Sequence, residues 1–234
     1  MRIFIMGDIH GEYDKLKSCL QSVNFDYEND KLIQLGDVVD RGADSFKCVE
    51  ELLKIKHLIA IKGNHDECFR AGFGTGNFDL FSQGCRETLL SYIKALDVEI
   101  WQEAWNIFPE SHKVFFNKIQ QLYYIDENNN LFIHGGFNRH HLIDDGIHNT
   151  EDVFLWDRDL LAQARSYESM KDKTYPFKTK NDFNEIYIGH TPVQHYENSD
   201  KPQQYTNVHL LDTGCGKGGI LTIMDLETNE FKQF

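Results

Sequence analysis

The chain has 234 residues, of which 41% are hydrophobic, and this is typical of a folded globular domain rather than a disordered chain. A formal net charge of −13 and the lack of a Lys/Arg-rich block argue against nucleic-acid binding. Every apolar run is broken by charge too soon to cross a membrane. Five cysteines without a CxxC pair predict a reducing, cytoplasmic setting.

The first part of the chain alternates predicted strands with predicted helices. Short apolar runs predict strands at residues 1–6, 31–35 and 57–61. Apolar residues at helical spacing predict helices over 12–23 and 46–53. Strands that alternate with helices imply βαβ units, so an α/β fold with helices covering the sheet is expected.

The second part begins with a segment of different character, residues 81–124, which is rich in helix formers and aromatic side chains. We expect a helical insertion packed beside the sheet, within one domain spanning residues 1–234. A polar, lysine-containing stretch occupies residues 165–184. The remaining strands are predicted at residues 122–126, 130–133, 186–188, 208–211 and 220–224.

Clusters of polar residues follow five of the predicted strands directly. They are Gly7-Asp8-Ile9-His10-Gly11, Gly36-Asp37-Val38-Val39-Asp40-Arg41-Gly42, Gly63-Asn64-His65-Asp66, His134, and Gly189-His190. Each alone has a structural explanation, since Gly-Asp is a common turn and a single histidine is often a core residue. Neighbouring strands of an open α/β sheet share one crevice at their carboxyl ends, so the clusters are expected to converge there.

The side chains in these clusters are of the kinds that hold metal ions. Carboxylate oxygen, imidazole nitrogen and amide oxygen without thiolate favour Mn, Fe or Zn over a soft metal or an all-oxygen calcium site. Two such ions that share one carboxylate are suited to in-line attack on phosphorus. The clusters therefore predict a dinuclear centre for phosphoester chemistry.

The three clusters at residues 7–11, 36–42 and 63–66 resemble the signature blocks of the phosphoprotein phosphatases, a family of calcineurin-like metallophosphoesterases. Three further blocks extend this resemblance over essentially the whole chain: His134-Gly135-Gly136, Gly189-His190-Thr191 and Asp212-Thr213-Gly214. The small bacterial and phage branch of the family is the most similar. The resemblance implies central mixed β-sheets flanked by helices.

The resemblance also implies a role for each matching residue. Two divalent ions are implied, Mn²⁺ first and Fe or Zn as alternatives, with the ligands Asp8, His10, Asp37, Asn64, His134 and His190, of which Asp37 bridges both ions. His65 would protonate the leaving alkoxide, oriented by Asp40. Arg41 would bind the phosphate together with Asn64. Arg158, in the shorter block Trp156-Asp157-Arg158, is the candidate for the second phosphate-binding arginine.

The activity implied is metal-dependent hydrolysis of phosphate monoesters, in which a hydroxide shared by the two ions attacks phosphorus in line. A phosphoprotein or phosphopeptide is the favoured substrate, which makes the chain a serine/threonine protein phosphatase. Asp66 stands where protein phosphatases usually carry Glu, and it is similar to the symmetrical dinucleoside tetraphosphatases, so a dinucleoside polyphosphate is the alternative substrate. Asp40 favours the protein phosphatases. A catalytically silent metal-binding scaffold is a third alternative, although every expected site position is filled.

Some residues outside these blocks are assigned no role in the site. The other histidines, among them His195, are expected to have no ligand role. The glycine-rich segment 214–219 lacks the order of a phosphate-binding loop and is expected to form a tight turn beside the metals.

Overall fold

The computed structural model describes residues 1–75 and 85–234, which form two five-stranded sheets flanked by helices. The first sheet has the order β10 (Phe231–Gln233), β9 (Thr222–Asp225), β1 (Ile3–Met6), β2 (Lys31–Gln34) and β3 (His57–Ala60). Strands β1, β2 and β3 are parallel, while β9 is antiparallel to β1 and to β10.

The second sheet is also mixed. Its order is β4 (Tyr123–Ile125), β5 (Leu131–Ile133), β6 (Ile186–Ile188), β8 (Val208–Leu210) and β7 (Gln203–Tyr205). The central strands β5, β6 and β8 are parallel, and the edge strands β4 and β7 are antiparallel to their neighbours. In both sheets, the carboxyl ends of the parallel strands are followed by loops.

The two sheets pack face to face because alternate residues of each strand point to opposite faces. In β1, Ile5 belongs to a buried cluster that also contains Phe132 and Tyr187 from the second sheet. Its neighbours Phe4 and Met6 belong instead to the cluster beneath the helices of the first sheet. The rings of Phe132 and Tyr187 are stacked with centroids 5.0 Å apart. Each sheet therefore has one face on the other sheet and one face on helices.

Eight α-helices are described. They are α1 (Tyr13–Ser22), α2 (Ser45–Leu52), α3 (Asn64–Thr75), α4 (Cys85–Ala95), α5 (Trp101–Asn106), α6 (Glu110–Val114), α7 (Glu151–Trp156) and α8 (Asp159–Ser169). In α1, Leu16, Cys19 and Leu20 are buried, which is the helical spacing of a single core-facing stripe. Core residues from α1 to α5 share one cluster with the first sheet, and those of α7 and α8 share another with the second.

The α/β fold with mixed sheets and flanking helices, predicted from the sequence, is confirmed. Helices α7 and α8 were not predicted from the sequence, and α8 extends into the polar stretch at 165–184 as far as Ser169. The short edge strands β7 and β10 were missed, since three partly exposed residues carry little periodicity. Within the predicted insertion, residues 81–84 lie outside the described residues, and α4, α5 and α6 follow them. No helix in the described ranges has both the length and the apolar character needed to span a bilayer.

Candidate metal centre and active site

The predicted metal ligands lie at the carboxyl ends of strands from both sheets, where the loops meet. Those following β1, β2 and β3 come from the first sheet, and those following β5 and β6 come from the second. All are less than a tenth exposed: Asp8, His10, Asp37, Asn64, His134 and His190. The structure therefore brings the sequence-predicted ligands together in one buried site between the two sheets.

Asp37 lies between two groups of potential ligands. Its Oδ1 atom is 3.4 Å from Nε2 of His134, and its Oδ2 atom is 3.5 Å from Nε2 of His10. The two oxygens of one carboxylate thus face different imidazoles. This is the arrangement that a carboxylate bridging two cations requires.

The group on the second-sheet side contains Asn64, His134 and His190. The Oδ1 atom of Asn64 is 3.0 Å from Nε2 of His134 and 2.9 Å from Nδ1 of His190. Ligand atoms that share an ion with bonds near 2.1 Å are separated by roughly 3 Å, so this spacing suits a common cation. Nε2 of His190 is buried and has no hydrogen-bond partner among the described residues.

The group on the first-sheet side contains Asp8 and His10. Oδ2 of Asp8 is 4.0 Å from Nε2 of His10, and the Asp8 carboxylate accepts the backbone N–H of His190 at 3.1 Å. Nδ1 of His10 lies 3.0 Å from the carbonyl of Val39 and donates its proton there. Similarly, Nδ1 of His134 donates to the carbonyl of Leu35 at 2.8 Å. In both histidines the backbone contact of Nδ1 leaves Nε2 as the ring nitrogen that faces the site.

The site concentrates negative charge away from water. Burial, followed by repulsion from Asp212, raises the pKa of Asp8 well above its ordinary value, and burial raises the pKa of Asp212 to about 6. Burial opposes ionisation of Asp37 as well, but the imidazoles of His134 and His65 hold its pKa well below the ordinary value. Cations placed among these carboxylates would remove the repulsion, so charge, donor type and spacing all fit a pair of divalent ions.

The backbone at this site occupies an uncommon conformation. Five of the predicted site residues have positive φ between 49° and 71°: His10, Asp37, Asp40, Arg41 and His190. Non-glycine residues are rare in this left-handed region, and each costs on the order of 1 kcal/mol or more. Strain of this kind is kept where it aims a side chain, and here it turns consecutive side chains of the loops toward one point.

Two glycines allow the loops to approach each other. A Cβ atom at Gly63 would overlap the backbone and carboxylate of Asp37, and one at Gly189 would overlap the carboxylate of Asp8. The glycines beside Asn64 and His190 are therefore required by the close approach of neighbouring loops.

His65 and Asp40 form a buried pair next to the candidate ligands. Nδ1 of His65 lies 2.8 Å from Oδ2 of Asp40, and the backbone N–H of His65 donates to Asp37 at 2.9 Å. Burial disfavours the imidazolium, but the Asp37 and Asp40 carboxylates outweigh it and raise the pKa of His65. His65 is thereby suited to carry a proton that it can donate.

The sequence analysis missed the residues of α4 that hold Asp40 in place. Oγ1 of Thr88 donates to Oδ1 of Asp40 at 2.7 Å and accepts the backbone N–H of Asp40 at 2.8 Å. The Cys85 thiol donates to Oδ2 of Asp40 at 3.4 Å. No local sequence signal links these residues to Asp40, because Thr88 lies 48 positions further along the chain.

Asp66 was singled out from the sequence for its type, and the structure shows what it contacts. Its carboxylate is fully buried and accepts backbone N–H groups from Asp37 at 2.9 Å, Val38 at 2.9 Å and Gly63 at 3.0 Å. It also accepts from the side chain of Gln120 at 2.8 Å. Asp66 therefore fixes the loop after β2 against the start of α3.

A cleft of about 270 Å³ opens on this site, and both predicted phosphate-binding arginines line it. The Arg41 guanidinium lies 3.0 Å from Nε2 of both His10 and His65, while Arg158 is exposed at the start of α8. His195 and Lys217, which the sequence analysis left without a role in the site, also line the cleft.

Comparison with known proteins bears on this arrangement directly. Residues 1–215 match the family model for calcineurin-like phosphoesterases. The chain belongs to this family. The resemblance drawn from the sequence blocks is confirmed, and phosphoester hydrolysis is the activity class of this phosphoesterase. The family uses a dinuclear metal centre, and potential ligand atoms cluster here in two groups that share Asp37, one with His10 and His65 and the other with His134 and His190.

Relatives of this phosphoesterase have more than one substrate class in their names. A serine/threonine-protein phosphatase 1 of Salmonella typhimurium is 25% identical, covering 96% of this chain and 92% of its own. A symmetrical bis(5'-nucleosyl)-tetraphosphatase of Pseudomonas fluorescens is 24% identical, covering 98% of this chain and 93% of its own. An asymmetrical bis(5'-nucleosyl)-tetraphosphatase of Oceanobacillus iheyensis is 27% identical, covering 99% of this chain and 91% of its own. Four further relatives align over only 24% to 36% of their length.

The fold of this phosphoesterase also recurs among solved structures. A protein serine/threonine phosphatase from Saccharomyces cerevisiae superposes with a TM-score of 0.61 at 15% identity, covering all of this chain and 79% of the other. At this level of identity the likeness concerns the fold alone.

Proposed function

We propose that this phosphoesterase removes phosphate from serine and threonine side chains of proteins. The observation that carries the proposal is the buried His65–Asp40 pair at the edge of the cleft, with Nδ1 and Oδ2 2.8 Å apart. A serine or threonine alkoxide is a poor leaving group and needs a proton as it departs. His65, whose pKa is raised by the Asp37 and Asp40 carboxylates against the effect of burial, is placed to donate that proton.

In this proposal the metal ligands form two groups, and Asp37 belongs to both of them. Asp8 and His10 would hold one ion, and Asn64, His134 and His190 the other, with Mn²⁺ as the first candidate for both. Bound there, the ions would supply a water-derived nucleophile and neutralise charge on the phosphoryl oxygens.

The remaining site residues bind and orient the substrate. Arg41 and Arg158 present guanidinium groups to the cleft, and such planar donors match two phosphoryl oxygens at once. Asn64 contributes its amide N–H to the same phosphate. Asp40 holds the His65 imidazole so that Nε2 faces the leaving oxygen, and Thr88 in turn holds Asp40.

A dinucleoside tetraphosphate is the second candidate substrate. Its support is Asp66, which resembles the corresponding residue of the symmetrical tetraphosphatases, and the Pseudomonas relative that aligns over 98% of this chain. The metals and the proton donor would be the same, and only the leaving group would differ.

The two candidates are separated by hydrolysis of three substrates with Mn²⁺ present: a phosphothreonine peptide, diadenosine tetraphosphate and p-nitrophenyl phosphate. We expect the highest kcat/KM for the peptide. Efficient release of ADP from the dinucleotide together with poor peptide turnover would instead assign the enzyme to nucleotide hydrolysis.

The role of His65 is tested by His65→Ala. We expect kcat for the peptide to fall by about 10²- to 10³-fold, because the leaving alkoxide loses its proton donor. Bound metal, measured by elemental analysis, should stay near the wild-type value. His57→Ala, which removes an exposed histidine on β3, is the matched control and should retain full activity. An equal loss of metal and activity in His65→Ala would mean that His65 is a ligand.

A further inference from the structure

A second cavity of about 410 Å³ adjoins the active-site cleft, and the proposed function does not use it. It lies between the short 3₁₀ turn Val193–His195 and the glycine-rich segment after Thr213. Pro192, His195 and Lys217 line both cavities and therefore form the border between them. A substrate larger than a phosphate group could extend from the cleft into this space.

The border carries a positive charge that the hydrolytic centre does not need. Arg41, Arg158 and Lys217 all line the cleft, and none of them forms a salt bridge within residues 1–75 and 85–234. Of the three residues that line both cavities, Lys217 is the one with a permanent positive charge. Two arginines suffice for a single phosphate, so Lys217 remains as a cation for another anionic group.

Lys217 is held in place by a tightly fixed loop rather than by a flexible one. Its backbone N–H donates to the carbonyl of Gly214 at 2.9 Å, and Gly216 packs so closely on the ring of His10 that a Cβ there would overlap it. Lys15 donates to the carbonyl of Gly219 at 2.9 Å. The loop therefore presents the lysine at a set position relative to the candidate metal ligand His10.

The opposite wall of the second cavity is tied to the same loop. The side-chain amide of Gln194 donates to the carbonyl of Thr213 at 3.0 Å and to Oδ1 of Asp200 at 2.8 Å. Asp200 also lines the second cavity. The Asp200 carboxylate would repel a polyphosphate chain that entered the cavity, because such a chain is negatively charged along its whole length. A peptide carries its charges at separate positions, so an uncharged part of it can lie beside Asp200.

We propose that Lys217 and His195 form a subsite for an acidic side chain next to the phosphorylated residue, and that the second cavity receives the adjoining peptide. This inference rests on the proposed protein phosphatase function. Lys217 would act as a specificity-determining residue, because it contacts the substrate away from the reacting phosphorus.

The test compares two phosphothreonine peptides that differ only in having Glu or Gln on both sides of the phosphorylated residue. The full chain is assayed with Mn²⁺ as wild type, Lys217→Gln and Lys232→Gln, with p-nitrophenyl phosphate and diadenosine tetraphosphate as further substrates. Lys232, exposed on β10 and outside both cavities, is the matched control. His195→Asn is a second variant of the subsite.

We expect the wild type to prefer the Glu peptide by about tenfold in kcat/KM through a lower KM, as one charge-assisted contact provides. Lys217→Gln should abolish that preference, with a loss several times larger for the Glu peptide than for p-nitrophenyl phosphate. His195→Asn should reduce it, and Lys232→Gln should match the wild type.

Three results would overturn the inference. Equal turnover of both peptides by the wild type would remove the subsite while leaving the protein phosphatase function intact. An equal loss on all substrates in Lys217→Gln would mean that the lysine only supports the loop. Hydrolysis of p-nitrophenyl phosphate without either peptide would overturn the proposed function itself. In that case, a selective loss on diadenosine tetraphosphate in Lys217→Gln would assign the second anion to a nucleotide phosphate.

Discussion

At the scale of single residues, the orientation of His65, the proposed proton donor, depends on a chain of contacts that starts outside the signature blocks. Thr88 on α4 contacts both the carboxylate and the backbone of Asp40, and Asp40 contacts Nδ1 of His65. Ser45 lies 3.2 Å from the Thr88 hydroxyl and completes its hydrogen bonding. A buried hydroxyl with all its hydrogen bonds made restrains the side chains it contacts.

Thr88→Val tests this restraint. We expect kcat for the phosphothreonine peptide to fall by about tenfold, because Asp40 loses the contact that orients it, while bound metal and KM change little. The basic limb of the pH–rate profile should also shift to lower pH, because a misplaced Asp40 raises the pKa of His65 less. The measurement is steady-state kinetics across pH.

Two variants serve as controls for Thr88→Val. Thr88→Ser keeps the hydroxyl and should restore most of the activity. Ser91→Ala removes a hydroxyl from the same helix, where Ser91 accepts the backbone N–H of Phe46 at 3.0 Å, and should affect stability but not kcat. Equal kinetic losses in Thr88→Val and Ser91→Ala would contradict an orienting role for Thr88.

At the scale of elements, the buried carboxylate of Glu51 links α2 to α1. The side chain of Glu51 on α2 is 1% exposed; it lies 2.8 Å from Nζ of Lys17 on α1 and 2.7 Å from Nζ of Lys54, and it accepts the Tyr27 hydroxyl. Burial disfavours the carboxylate, but the hydrogen bonds from these three groups outweigh it and lower the pKa of Glu51 to about 2. The charged form of Glu51 is therefore preferred in the folded state.

The low pKa of Glu51 predicts a pH-dependent contribution to stability. In the unfolded chain its pKa is about 4.3, so the stabilisation is fully present above that pH and is lost as pH falls toward 2. We expect Glu51→Gln to lower the free energy of unfolding by on the order of 2 kcal/mol at pH 7, since the partly exposed lysines are screened by water. The difference from wild type should shrink below pH 4 in urea titrations.

Glu28→Gln is the control for Glu51→Gln, because the Glu28–Lys56 pair is exposed on both sides. Its effect should be less than about 0.5 kcal/mol. A Glu51→Gln difference that stays constant down to pH 3 would contradict the proposed ionisation.

At the scale of the whole molecule, the candidate metal centre connects the two sheets. Asp8, Asp37 and Asn64 follow strands of the first sheet, whereas His134 and His190 follow strands of the second. Repulsion among the buried carboxylates favours separation of the loops, and a bound cation would reverse it. Metal ions are thus expected to stabilise the packing of one sheet on the other.

We expect added Mn²⁺ to raise Tm of the metal-stripped protein and EDTA to lower it again. At a metal concentration one hundred times Kd the gain is about 2.7 kcal/mol, which is on the order of 5 °C for a chain of this size. Differential scanning fluorimetry measures the shift. His134→Ala should reduce it markedly, and an undiminished shift in that variant would place the stabilising ion elsewhere.

The α/β class and the positions of the signature blocks can be predicted from the sequence alone. Both follow from local patterns, because a short apolar strand followed by a polar turn can be recognised without knowledge of its neighbours. The same patterns located α1, α2 and the central strands, whose buried residues recur at regular spacing. They could not locate β7 and β10, because each is an edge strand of three residues that pairs with a single neighbouring strand.

The distant residues that complete the site become visible in the folded structure. Thr88 reaches Asp40 across 48 positions, and the backbone of His190 reaches Asp8 across 182. Lys217 joins the cleft because its loop packs on His10. Contacts of this kind depend on how the two sheets and α4 are placed in space. The sequence around a hydroxyl or an ammonium group does not indicate which distant residue that group will contact.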